Sequence, residues 1–232
     1  MTGVIVNTIT VILGTILGLT FRSKIPQKVT NAVMTAVGLC TVYIGISGSL
    51  AGQNTVVLII CMALGTIAGT VIDIDNKLNK FGVFVSDKFK SKNSQTTSLS
   101  EGFVTASLLF CVGSMTIVGG LNAGLSGDNT MYFTKAVLDF ISATMLSATL
   151  GIGVVLAGFT VFFYQGAIVL LAKLISPFLT EFVIAELNCA GSLMIFALGL
   201  NIVGISKFKV ANFLPALVFV PFVCWIVERL GV

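Results

Sequence analysis

The sequence predicts an all-α polytopic membrane protein of about eight transmembrane helices, built from repeated helix hairpins with one copy inverted. Three observations predict it. The 232 residues are 56% hydrophobic and only 9% charged, with a mean hydropathy of +1.07, whereas a soluble domain carries roughly 25% charged residues. The apolar runs are about 20 residues long, the length that crosses a hydrocarbon core of roughly 30 Å at about 1.5 Å per residue. A small-residue phrase also recurs. "AVGLCTVYIGISGSL" at 36–50 is echoed by "CVGSMTIVGGLNAGL" at 111–125 and, more loosely, by "CAGSLMIFALGLN" at 189–201.

The first span, 4–20, is followed by Arg22, Lys24 and Lys28. A secretory signal places its positive charges before the apolar stretch, so this segment is expected to stay as a helix with its N-terminus outside. Asn7, Thr10, Gly14 and Gly18 form a small and polar stripe along it. Spans 29–50 and 55–74 follow, the second ending in Asp73 and Asp75, read as a solvated helix end. The segment 75–101 is expected to be a cytoplasmic loop within a single transmembrane domain, 1–232. Its first part is read as a short helix on the membrane surface, and "KSKNSQTTSLS" as a mobile tether.

Span 102–121 carries the second copy of the phrase. Spans 132–150 and 154–174 are separated only by "GIG" at 151–153; if they were one bent span, the count would fall to seven. Spans 179–204 and 210–228 complete the chain, with Asn212 and Pro215 opening the last, where proline is tolerated. With the N-terminus outside, ten Lys and Arg fall on the cytoplasmic side. Three (Lys135, Lys173 and Arg229) fall outside, the bias that orients membrane proteins.

"LGTILG" at 13–18 matches "LGTIAG" at 64–69, and Gly38, Thr41 and Gly45 match Gly113, Thr116 and Gly120 in spacing. The first two helices thus resemble the third and fourth, and the seventh, with Gly191, repeats the pattern in the opposite sense. Inverted repeats are frequent in secondary transporters, with the site between repeats near the midplane. Small residues three or four apart also let any membrane helices pack closely. Gly14, Gly18, Gly38, Gly45, Gly65, Gly69, Gly113, Gly120 and Gly191 are therefore read as packing positions, and the same faces would serve contacts between copies of the chain.

An ionisable group at membrane depth is costly and persists when paired, hydrated or used. Lys135 and Asp139 lie four apart and share a helix face, continued by Ser142, Leu146 and Thr149 as if lining a cavity. Tyr164 and Gln165, Glu186, Asn201, Asn7, Thr116 and Asn122 are the other polar candidates for a solute or ion path. Each alone also suits a packing hydrogen bond.

Other chemistries lack their parts. The five cysteines lie in apolar runs without a CxxC and there is no histidine, so no metal centre, disulfide framework or catalytic triad is expected. No GxxxxGK[ST] occurs. The chain is not expected to be an enzyme, to need a cofactor or to bind nucleic acid. Its partners are expected to be the lipid bilayer and a small solute or ion.

"GLCTVYIGISGSLAGQN" (38–54), "EGFVTASLLFCVGSMTIVGGLNAGLSGD" (101–128), "ATLGIGV" (148–154), "YQG" (164–166) and "KVANFLPA" (209–216) together resemble the YqgA/YdfK-type bacterial membrane proteins, the domain-of-unknown-function 554 family. The resemblance covers essentially the whole chain. It implies a bacterial cytoplasmic-membrane protein, a candidate transporter without an established substrate, and no catalytic residues. One departure is Phe140, after Asp139, where a small residue would be expected. Two functional readings follow: a small-solute or ion permease, or a structural or regulatory membrane protein acting on a partner through 75–101.

Overall fold

The computed structural model describes residues 1–22, 27–77, 80, 96–112 and 114–230. Its helices are α1 (Thr2–Arg22), α2 (Gln27–Ser49), α3 (Thr55–Ile72), α4 (Thr96–Cys111), α5 (Ser114–Leu125), α6 (Thr130–Leu150), α7 (Gly153–Ile175), α8 (Glu181–Val203) and α9 (Pro215–Leu230). Among the described residues there is no strand. Inside a bilayer only a helix satisfies its own backbone, so an apolar chain of this length folds this way.

Among the described residues six helices are long and apolar enough to cross a membrane, and the count is seven if the bent pair α4–α5 is taken as one span. The apolar part of α2, Thr35–Ser49, is shorter, so length and apolarity alone do not reach the expected eight. Helix sense adds to this. Gly3, Gly14 and Gly18 of α1 meet Tyr132, Phe140 and Ser147 in that order, so α1 and α6 run parallel. Gly158 and Gly166 of α7 meet Ile12 and Met1, so α7 opposes α1. Residues 132–174 are therefore two opposed helices rather than one bent span. Gly151, at φ +82, makes the turn between them in a conformation that side chains rarely adopt. α2 opposes α8, since Gly38 and Gly45 meet Val203 and Phe196. α3 opposes α9, since Gly65 and Gly69 meet Ala216 and Asn212.

The expected straight span 102–121 is broken: α4 and α5 bend by 56°. The break frees a carbonyl, and Thr116 Oγ1 donates to Phe110 O across it at 3.1 Å. Tyr132 Oη then donates to Thr116 O at 3.0 Å, fixing α5 on α6. α4 starts at Thr96, so 96–100, expected to be part of a tether, is helical. Ser and Thr suit a helix start outside the apolar core. The expected surface helix falls mostly in 78–95, which, apart from residue 80, lies outside the described residues, as does Gly113.

The first recurring phrase packs along α8, and the second touches it at one point. The copy in α8 packs against the first along α2, where a Cβ at Gly45 would come within 2.5 Å of Phe196 Cα, and one at Gly199 within 2.6 Å of Val42 N. Gly191 of α8 sits against Val112, beside the break in the second copy. These contacts occupy the small-residue faces within one chain. They do not by themselves establish a repeat symmetry: the second copy's Gly120 faces Ile168 of α7 rather than α8.

Candidate functional site

The polar centre is built where α1, α6 and α7 meet. Gly14 lets α1 approach until a Cβ there would lie 2.5 Å from Phe140 O of α6, and Gly158 brings α7 onto Ile12. On α6, Lys135 Nζ donates to Asp139 Oδ1 at 2.9 Å. From α1, Asn7 Nδ2 donates to Asp139 Oδ2 at 2.9 Å and to Gln165 Oε1 of α7 at 3.2 Å. Asn7 and Gln165 are 0% exposed, Asp139 5% and Lys135 6%. Lys135 therefore belongs to the interior of the helix bundle rather than to the outer loops where the charge count had placed it. Two atoms of the cluster, Asn7 Oδ1 and Gln165 Nε2, are buried without a partner.

The stripes continuing from this cluster are packing seams. The hydroxyls of Thr144, Ser147 and Thr149 bond to carbonyls of their own helix, and Thr10 does the same on α1. Thr144 and Ser147 meet Gly14 and Gly18 of α1 in contact, not across a cavity, because a hydroxyl satisfied by its own backbone can pack as an apolar group.

The remaining candidates stand apart. Glu186, on α8 and 1% exposed, accepts the backbone N–H groups of Gln53 and Asn54 on Oε1 at 2.6 and 2.8 Å. This pins the start of α3, whose N-cap is Asn54; Glu186 Oε2 is buried without a partner. Tyr164 points away from Gln165, being 41% exposed, because adjacent helical positions face different directions. It lines an apolar groove of about 500 Å³ with Phe103, Leu108, Ile117, Leu217 and Pro221. Asn201 clamps the turn after α8: its Oδ1 accepts from Ser206 and Phe208, and its Nδ2 donates to Phe208 O. Thr116 bridges the helix break. Asn122 gives its carbonyl to Ser126 at the end of α5.

Sequence reasoning missed Asn129, whose Oδ1 accepts the Gly3 N–H at 2.9 Å and ties the start of α1 to the loop before α6. The polar run "SGDNT" was its only signal. Beside it Asp128 accepts from Thr130 Oγ1 and N, and these bonds, the hydroxyl's first, hold its carboxyl below the usual range. Among the described residues no group of three or more Cys, Asp or Glu is placed to hold a metal.

A family model described as "Protein of unknown function (DUF554)" matches residues 2–225. The chain is 34% identical to "Uncharacterized membrane protein YdfK" of Bacillus subtilis, over 100% of this chain and 99% of the relative. It is 28% identical to "Uncharacterized protein YqgA" of Escherichia coli, over 93% of this chain and 92% of the relative. No solved structure matches.

Proposed function

The chain belongs to the DUF554 family of membrane proteins, and from that premise we propose that it is a small-solute or ion permease. The observation that carries the reading is the cluster of Asn7, Lys135, Asp139 and Gln165. Four polar side chains from three helices are buried together, with two hydrogen-bonding atoms left open. A buried polar atom without a partner is costly, and such groups at membrane depth mark substrate and ion paths.

In this reading the protein sits in the bacterial cytoplasmic membrane with its N-terminus outside and 75–101 inside, as the ten cytoplasmic Lys and Arg favour. The solute is its partner and no covalent chemistry is involved. Glu186, Thr116, Asn122 and Asn201 support the helices around the path, and Tyr164 lies off it.

The test is flux of a panel of ions and small solutes into proteoliposomes carrying the full chain. Wild type is expected to pass one class, and Asp139→Asn, inserted and monodisperse, to pass it at least tenfold more slowly. Equal flux through Asp139→Asn would remove the cluster from the path. Function lost on deleting 91–100, with flux absent from wild type, would instead favour the partner-binding reading.

A further inference from the structure

The same cluster carries information about what it binds, an inference that rests on the permease reading. A carboxylate only accepts hydrogen bonds. Asp139 therefore dictates the orientation of everything bonded to it. Its Oδ1 receives Lys135 and its Oδ2 receives Asn7, so Asn7 must present its NH2 to Asp139. The second N–H of that NH2 goes to Gln165 Oε1, so Gln165 must turn its carbonyl inward and its own NH2 away. The charge on one helix is thus relayed through a second to set the face shown by a third.

The open groups follow from this. Gln165 Nε2 keeps both of its N–H donors, buried and without a partner. Lys135 uses one of its three N–H groups on Asp139. Among the cluster's acceptors, Asn7 Oδ1 is without any partner. We propose that this site binds a small solute through a carboxylate or carbonyl oxygen, received by the Gln165 NH2 and the Lys135 ammonium. A cationic solute would meet an acid whose charge Lys135 already pairs at 2.9 Å.

Binding can be read without transport. The purified full-length protein is melted in detergent with increasing formate or acetate, and separately with methylammonium, as sodium or sulfate salts at constant ionic strength. A ligand that binds only the folded state raises the melting temperature by mass action. Formate and acetate are expected to raise it in wild type and in Tyr164→Phe, one position along the same helix but facing elsewhere. In Gln165→Met, which keeps length and loses the donor, binding is expected to weaken roughly tenfold or more. No rise with either acid, an undiminished rise in Gln165→Met, or a rise with methylammonium would each overturn the proposal. Should Gln165→Met fail to fold, the wild-type contrast between acids and methylammonium decides alone. The permease reading is separable: flux of a cation would sink the ligand class and keep the permease, whereas acid binding without any flux would do the reverse.

Discussion

Among the described residues two acids, Asp139 and Glu186, are buried, and they are held in different ways. Asp139, at mid-length of α6, is surrounded by side chains: Lys135 on its own helix and Asn7 from α1, with Gln165 beyond. Glu186, near the start of α8, is held by backbone: the N–H groups of Gln53 and Asn54, at the start of α3. Backbone donors at a helix N-terminus are rigid and carry the positive end of the helix dipole, so Glu186 works as a pin. Side-chain donors can turn, whereas the backbone donors of Glu186 cannot, although an atom is left open at both acids, Asn7 Oδ1 at the one and Glu186 Oε2 at the other. The difference teaches that burial of a charge at membrane depth does not itself mark a path. What marks it is whether the partners are free to be exchanged.

That contrast can be broken by measurement, in chemical or thermal unfolding of the purified protein. The largest effect is expected for Lys135→Met, which leaves the Asp139 charge buried with one donor lost and should cost about 3–5 kcal/mol. Adding Asp139→Leu should recover much of that loss, because a buried pair replaced as a pair is nearly neutral; no recovery would mean the pair is not energetically coupled. Glu186→Ala should follow, at about 2–3 kcal/mol, since it strips two backbone N–H groups of a charged acceptor. Glu186→Gln keeps an oxygen for them and should cost less than the alanine. If the glutamine cost as much as Lys135→Met, the pin would be acting through its charge and the contrast would fail. Asn54→Ala, which removes only the cap of the helix that Glu186 pins, should cost about 1 kcal/mol. Smallest is Tyr164→Phe, within about 0.5 kcal/mol, because that side chain is 41% exposed along the apolar groove.

Much of this was legible in the chain. Lys135 and Asp139 could be paired from their spacing, since a separation of four puts two side chains on one face whatever the helix packs against. Asn7 and Gln165 could be named as polar residues at membrane depth, but not joined to Asp139. Their partners lie 132 and 158 residues away, and no local periodicity encodes which helices touch. The break between α4, ending at Cys111, and α5, starting at Ser114, was illegible for a related reason: the phrase there reads like its unbroken copy in α2. What distinguishes them is tertiary, the bond from Thr116 to Phe110 and the approach of Val112 to Gly191.

By itself, then, the sequence determined that this is a helical membrane protein, where nearly all its helices lie, and which faces are small enough to touch. Those properties are local: apolar length, charge placement and the helical repeat act within a few turns. Only the tertiary structure decided that α1 runs beside α6 while α7 opposes it, that the first small-residue phrase packs on α8 while Gly120 and Gly124 of the second pack on α7, and that Glu186 is held by backbone while Asp139 is the centre of a side-chain cluster. Helix neighbours are chosen by the close packing of whole surfaces, and a hydrogen bond between helices forms only after that choice is made.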